Sequence, residues 1–261
     1  MANISNSSRG RRVPRQNRAD RGQRYHSYDI GESMVSNKSI KIVRDLNCDS
    51  RDWDNLGTMV CWHNRYKLGD EQPTENQIEY NLRLAQDCEI SPQDCLNIIW
   101  DIHDNHPDSL EDFFYYAGHE GIDKDTILQA LQEMELIPDG LDEIIAQTFV
   151  ILPLYLYDHS GITMNTTGFH CPWDSGKVGF IYAKADAEDL EREQIEKNLK
   201  GEVLTYDDYL RGDVWGFQIL GEDEEIVDSC YGFYGNKIDG LLSYIPEELH
   251  AEAIEAWEEK I

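Results

Sequence analysis

The chain has 261 residues, 40% of them aliphatic or aromatic, and its 51 Asp and Glu against 23 Lys and Arg give a formal charge of −28. A chain of this size holds one large domain or two small ones and can bury a sizeable core. It contains no run of about 18 apolar residues, so neither a transmembrane helix nor a membrane partner is expected.

The charge is unevenly placed. Residues 1–44 carry ten Lys or Arg against three acids, a net of +7, whereas residues 45–261 carry 13 against 48, a net of −35. Residues 1–36 are rich in Arg, Ser, Asn and Gly and lack apolar periodicity, which reads as a disordered basic arm. Such an arm can bind nucleic acid, fold back on the acidic body or be a passive tail. The opening MANISNSSRGRRVPRQ lacks the apolar stretch of a secretory signal, so a cytoplasmic protein is expected. Six Cys (48, 61, 88, 95, 171 and 230) without a CxxC are expected to be reduced and partly buried.

A strand–loop–strand segment is expected at 37–73. SIKIVR alternates as a strand does, and a second strand runs from Thr58 to His63. Between and after them, Asp49, Asp52, Asp54, Asp70 and Glu71 are hard-cation ligand types, but their spacing is not that of an EF-hand, and a solvated loop is the simpler reading.

Residues 74–136 read as a small helical module. Thr74 and Gln77 form a capping box ahead of Ile78, Leu82 and Ala85. Ser91, Pro92 and Asp94 start a second helix carrying Cys95, Ile98, Ile99 and Ile102. Ser109 and Asp112 start a third before Phe113, Phe114 and Ala117. Asp123 starts a fourth with Ile127, Leu131 and Met134.

The remaining 137–261 reads as the antiparallel core. PDG at 138–140 punctuates the chain. TFVILPLYLYD is the strongest strand signal, apolar enough to be central and buried on both faces. KVGFIYAK follows as a strand. Asp186 and Asp189 cap a helix ending near Gly201, and TYDDYLRG forms a short one after it. DVWGFQIL and EIVDSCYGFYG make a hairpin through an acidic turn. Pro246 opens a last helix with Leu249, Ala253, Trp257 and Ile261 on one stripe. The fold class is therefore α+β: an antiparallel sheet covered by helices on one side, with the helical module and the arm attached. Trp215, Phe217, Tyr231, Phe233 and Tyr234 are expected to pack this core rather than stack bases, since Asp213, Asp228 and the acidic hairpin repel phosphate.

About twenty residues join the first two strands of that core, far beyond ordinary hairpin loops. Met164, Phe169 and Trp173 are expected to pack this loop, with Trp173 as its anchor. Its polar groups, His159, Ser160, Thr163, Asn165, His170 and Asp174, with Trp173, make it a candidate recognition surface. As a reaction centre it offers Cys171 as nucleophile, His159 as base and Asp174 (or Asp158) to orient the base. His170 is a poorer base because neighbouring strand residues point apart. No GxSxG elbow surrounds Ser160 or Ser175. Zinc-type ligands occur at His159, His170, Cys171 and Cys230, and His103 and His106 stand near Asp101 and Asp104, but no spacing matches a strong metal motif. The metal remains unassigned, and no cofactor is called for.

The strings WDNLGTMVCWHNRYKLGDE, LPLYLYDHSGITMNTTGFHCPWDSGKVGFIY, YDDYLRGDVWGF and DSCYGFYG resemble a family of bacteriophage and mobile-element proteins carrying GTMVC, YDHSGIT and CPWDSG motifs. The resemblance covers about ninety residues, mainly in the C-terminal half, and carries over no catalytic residue. It implies a phage-type gene expressed in a bacterial cytoplasm, where acidic accessory proteins inhibit host defence by occupying nucleic-acid-binding grooves. The expected function is accordingly an acidic accessory protein. It would bind and inhibit a host enzyme that processes nucleic acid or defends the cell, by imitating DNA. The expected partner is a nucleic-acid-binding host protein, with nucleic acid itself as a candidate partner of the 1–36 arm. The alternative is a Cys/His-dependent or metal-dependent hydrolase centred on 158–177.

Overall fold

The computed structural model describes residues 38–102, 122–133 and 139–260. The 1–36 arm, the helix expected at Ser109–Ala117, His103, Asp104, His106, Met134 and Ile261 lie outside the described residues. The strands are β1 (Ser39–Arg44), β2 (Thr58–Cys61), β3 (Phe149–Asp158), β4 (Ile162–Asn165), β5 (Ser175–Lys184), β6 (Val214–Leu220) and β7 (Ile226–Tyr234). The helices are α1 (Gln77–Gln86), α2 (Pro92–Ile102), α3 (Lys124–Glu133), α4 (Asp139–Thr148), α5 (Arg192–Leu210), α6 (Asp239–Leu242) and α7 (His250–Glu258). Contacts divide the chain into a continuous unit, Leu46–Asp213, and a discontinuous one that joins the chain up to Asp45 with Val214–Ile261.

In the continuous unit four antiparallel strands stand in the order β2-β5-β3-β4. The pleat sends alternate β3 side chains to opposite faces. Phe149 joins Tyr80, Leu84, Ile127, Leu128, Ile144 and Ile145 under the first four helices. Val150, Leu154 and Leu156 join Ile195, Leu199, Val203 and Tyr206 of α5 on the other face. The apolar run of β3 is thus explained by two cores rather than one. β5 can approach β2 closely because residue 179 is glycine. A Cβ there would lie 1.9 Å from the Val60 carbonyl oxygen.

The class is α+β with antiparallel sheets, but there are two sheets, and the four-stranded one is covered on both faces. Three helix starts follow side-chain chemistry, whereas α5 starts at Arg192 after Glu191 with no side-chain cap, and not at Asp186 or Asp189 as expected. The first capping box is Asn76 with Glu79, two residues beyond Thr74 and Gln77, because the Asn76 carboxamide accepts from the Glu79 N–H and Glu79 accepts in return. Ser91 receives the Asp94 N–H, and Asp123 receives that of Thr126. Two differences are larger. A helix, α4, fills 139–148 and takes in the Asp139 and Gly140 read as punctuation, with Ile144 and Ile145 fully buried. The two helices expected on either side of Gly201 are one 19-residue helix. A helical glycine costs about 1 kcal/mol; here Leu199, Glu202, Val203 and Tyr206 are buried on either side of it and hold the helix through.

A buried ion network pins the irregular stretch before β2. Arg51 grips Asp70 with two nitrogens, at 2.9 and 2.5 Å, and reaches Glu202 at 3.2 Å and the Gly57 carbonyl at 2.7 Å. Glu202 also accepts the N–H groups of Leu56 and Gly57. Asp70 also accepts the Met59 N–H at 2.6 Å. The side chains of Arg51 and Glu202 are only 5% and 1% exposed. Burial opposes the Arg51 charge, but the two carboxylates outweigh it and hold the guanidinium above its ordinary value.

In the discontinuous unit the order is β1-β6-β7, all antiparallel. Ile40, Ile42, Trp215, Phe217 and Ile219 pack against Leu241, Leu249, Ala253 and Trp257. The Trp215 and Trp257 rings meet edge-on at 5.0 Å. Glu252 of α7 accepts the Ile40 N–H at 3.1 Å, tying helix to strand. Of the five aromatic residues that sequence patterning assigned to packing, Trp215 and Phe217 are buried, Phe233 is half-buried against the same cluster, and Tyr231 and Tyr234 are half-buried.

Removing the Glu202 carboxylate leaves a buried cation under-compensated and two buried amides without an acceptor. Glu202→Ala is expected to cost about 3–5 kcal/mol in urea denaturation. A pH dependence of opposite cause follows from two other acids. Burial raises the Asp49 carboxyl, against the pull of the Arg51 N–H, and raises that of Asp208, against Arg211. A carboxyl raised on folding adds stability below its unfolded value of about 3.9, and that contribution is lost as pH rises through the folded value. From these two groups the urea midpoint is expected to fall as pH rises from about 3.9 through their raised folded values, and Asp208→Asn to flatten that slope.

Candidate functional site

The long connection after β3 is more structured than a loop. β3 turns at His159–Gly161 into β4, so that Asp158 pairs with Ile162. Ser160 sits at the tip with φ of 59° and Gly161 with φ of 150°, both left-handed-side conformations that Ser adopts at a cost. β4 is fastened to α5: Asp207 accepts the Thr163 hydroxyl at 2.6 Å and the Met164 N–H at 2.7 Å. Asn165 then accepts the Thr167 and Gly168 amides, turning the chain back. The return leg, 166–174, crosses to the other edge of β3 and enters β5, where Asp158 N–H donates to the Asp174 carbonyl at 2.8 Å. Thr163 and Asn165 are thereby committed to internal bonds, while His159, Ser160, His170 and Trp173 are exposed.

The three side chains of the catalytic alternative do come together, in a different order from a nucleophile relay. The Cys171 thiol donates to Asp174 Oδ2 at 3.7 Å, and His159 Nδ1 lies 3.4 Å from that same oxygen. The carboxylate stands between thiol and imidazole. A base-activated thiol needs the imidazole in that middle position. Ser175 donates its hydroxyl to the Cys171 carbonyl at 2.5 Å, which fixes the turn that carries all three.

Trp173 corrects one expectation. It does not anchor the loop: the side chain is 91% exposed. The anchors are Met164, 1% exposed, and Phe169, whose ring lies 5.5 Å from that of Tyr157. Trp173 instead stands on the wall of an open groove of about 970 Å³. Asp174, Ser175 and Lys177 continue that wall; Trp62, His63 and Arg65 belong to the opposite lining, contributed by the chain after β2. Arg65 pairs with Asp158 at 2.8 Å, and the Tyr66 hydroxyl donates to the same carboxylate at 3.2 Å. His63 stacks on Tyr66 at 5.1 Å, and its Nδ1 accepts the Arg65 and Tyr66 amides, which leaves Nε2 to carry the ring proton. Sequence reasoning passed over His63 and Arg65, although both lie inside the WHNRY string.

Among the described residues no three His, Cys, Asp or Glu side chains converge as a metal site. Asp70, one of the acids offered for a hard cation, is already bonded to Arg51. None of the six cysteines is in a disulfide; Cys48 and Cys171 are partly exposed and the others buried. Burial pushes the Cys61 thiol up to about 12 and Cys95 up to about 11. No helix among the described residues is long and apolar enough to cross a membrane. No protein-family profile, curated protein or solved structure matches the chain.

Iodoacetamide at neutral pH is expected to label Cys48 and Cys171 in the native protein and to reach Cys61, Cys88, Cys95 and Cys230 only after denaturation. Intact mass and peptide mapping read this directly. Asp174→Asn is expected to speed labelling of Cys171 and to move stability by less than about 1 kcal/mol, since the contact with His159 that it alters is exposed.

Proposed function

We propose that this protein is a binding protein whose acidic surface occupies the nucleic-acid groove of a host enzyme, with the groove beside 158–177 adding specificity. The observation that carries the reading is how the cations of Leu46–Asp213 are used. All five arginines there are spent internally. Arg51 serves Asp70 and Glu202; Arg65 serves Asp158; Arg83 serves Glu75; Arg211 serves Asp207, Asp208 and Asp213. Arg192 caps the carbonyls of Ala146 and Phe149. Lys124 likewise bonds the carbonyls of Gln86 and Cys88. The net charge of −35 over residues 45–261 already subtracts all 13 cations, and these contacts hold six of them in place. Duplex DNA presents one charge per about 1.7 Å of axis, and a surface of this sign steers a basic groove toward itself over long range. The acidic turn at 222–225 and the exposed Trp173 fit such a role: charge for encounter, an aromatic for contact.

The resemblance to phage and mobile-element proteins supports a bacterial cytoplasmic setting and a host defence or nucleic-acid-processing enzyme as target. The hydrolase reading would use Cys171, His159 and Asp174, whose order in space favours recognition over nucleophilic attack.

The test is a tagged pull-down from bacterial lysate eluted along a salt gradient. A stoichiometric nucleic-acid-binding partner, released by moderate salt and displaced by duplex DNA, is the expected result. Its Kd should weaken at least tenfold between about 50 and 200 mM salt. Trp173→Ala should weaken the complex without changing the salt slope. Binding indifferent to salt and to DNA would overturn mimicry. An activity abolished by both Cys171→Ala and His159→Ala would establish the hydrolase.

A further inference from the structure

The β1-β6-β7 sheet has an open side. β7 pairs with β6 alone, and among the described residues no strand lies on its other edge. Gly221 N–H donates to the Glu225 carbonyl at 2.9 Å, so alternation turns the Ile226 main-chain groups outward. Ile226 and Val227 are 54% and 48% exposed, two adjacent large apolar side chains at the start of an uncovered strand. Beside them Glu222, Asp223, Glu224, Glu225 and Asp228 are all exposed, and no ion pair among the described residues engages any of the five. No Lys or Arg occurs in residues 214–236. The nearest cations by register are Lys38 and Lys41, so even with both counted against the five acids this end of the sheet keeps an excess of three carboxylates.

The register also fixes where the rest of the chain joins the sheet. Ser39 pairs with Leu220, and Leu220 with Ile226. Residues 1–37 therefore enter in the same row as the acidic turn, two strand spacings or about 10 Å from Ile226. Within that stretch, residues 9–24 carry seven arginines against the single acid Asp20. The 14 residues between Arg24 and Ser39 span up to about 45–50 Å when extended, several times the distance required. Such a tether holds the two charges at an effective concentration on the order of millimolar, an advantage that a basic segment of another molecule lacks.

We propose that residues 9–24 of this chain dock on the β6–β7 turn and the open start of β7, residues 222–228. The guanidiniums pair with the carboxylates in fork geometry, and their aliphatic stems lie over Ile226 and Val227. Each exposed pair is weak alone; their sum and the tether hold the segment, and salt loosens all of them together. The docking stands whether or not the acidic surface meets a nucleic-acid groove.

The experiment uses the full chain, before and after nuclease treatment. Trypsin cleaves after arginine, so its rate at residues 9–24, followed by mass spectrometry, reports the arm. Exchange of the outward Ile226 amide, followed by NMR, reports the sheet. The comparison is a turn variant combining Glu222→Gln, Asp223→Asn, Glu224→Gln and Glu225→Gln. At about 20 mM salt the wild-type arm is expected to be cleaved at least tenfold more slowly than that of the variant, and at about 500 mM the difference is expected to vanish. Where the turn variant folds poorly, an arm variant combining Arg11→Gln, Arg12→Gln, Arg15→Gln and Arg18→Gln leaves the sheet untouched. Its Ile226 amide is expected to exchange at least tenfold faster than that of the wild type. Equal cleavage of the wild type and the turn variant would overturn the proposal, as would an Ile226 amide indifferent to the four arginines. Protection that grows with protein concentration would assign the arm to a second copy, and protection lost on nuclease treatment would assign it to nucleic acid. Either result would overturn docking within the chain.

Discussion

The guanidinium of Arg51 is the point on which the continuous unit depends. It lies where four pieces of chain with little other reason to meet come together: the irregular stretch before β2, the Gly57 corner, the turn at Gly69–Asp70 and the middle of α5. Each piece brings polar groups that burial would otherwise penalise. The cation, two carboxylates and three backbone amides satisfy one another, which is the condition under which a buried ion group is tolerated. The surrounding apolar contacts, Leu199 and Val203 against Ile181 and Met59, supply the cohesion. The network supplies the register in which they fit.

The same economy runs through the rest of the molecule. Cations are used as internal fasteners. Arg192 closes the end of α4 against β3, Lys124 closes the end of α1, and Arg211 gathers three aspartates at the end of α5. A fold that spends its positive charge this way has an outside dominated by carboxylates. Only Arg51 is withdrawn into the interior; Arg65, Arg83 and Arg211 stay 71%, 53% and 42% exposed and meet their carboxylates at the surface.

Local chemistry made much of this legible. The alternation in SIKIVR, the apolar run of β3, the capping residues Ser91 and Asp123 and the stripe Leu249, Ala253, Trp257 all act within a few residues, and each appears as read. What escaped reading was non-local. Nothing near Arg51 says that its partners lie 19 and 151 positions away. Nothing in DGLDEIIAQT signals a helix strongly, because it opens on the Asp-Gly pair that reads as a turn and its end runs directly into a strand. Gly201 looked like a stop because propensity favours it as one, and packing on both sides overrode that. In the candidate site, Cys171, His159 and Asp174 were recognisable as a group because turns bring them together locally. Their order was not, since it depends on which way the return leg crosses β3. Trp173 was misplaced for a related reason: an aromatic in a long loop is usually an anchor, and here Phe169 and Met164 had already filled that place.

The pairing of β1 with β6 sets a condition on how this protein comes into being. Ser39–Arg44 must wait for Val214–Leu220, so 170 residues separate the partners Arg44 and Trp215 in the chain. At about 5–20 residues per second of synthesis, that is a delay of roughly ten to thirty seconds. During it Ile40 and Ile42 have neither sheet nor helix to cover them, while the whole of Leu46–Asp213 emerges and can complete its own core. The continuous unit is in effect a finished insert, threaded between the two halves of a sheet that closes last. Biogenesis thus ends on a long-range docking of an old strand onto a new hairpin, and the lysines at 38 and 41 keep that waiting strand soluble by flanking its apolar positions with charge.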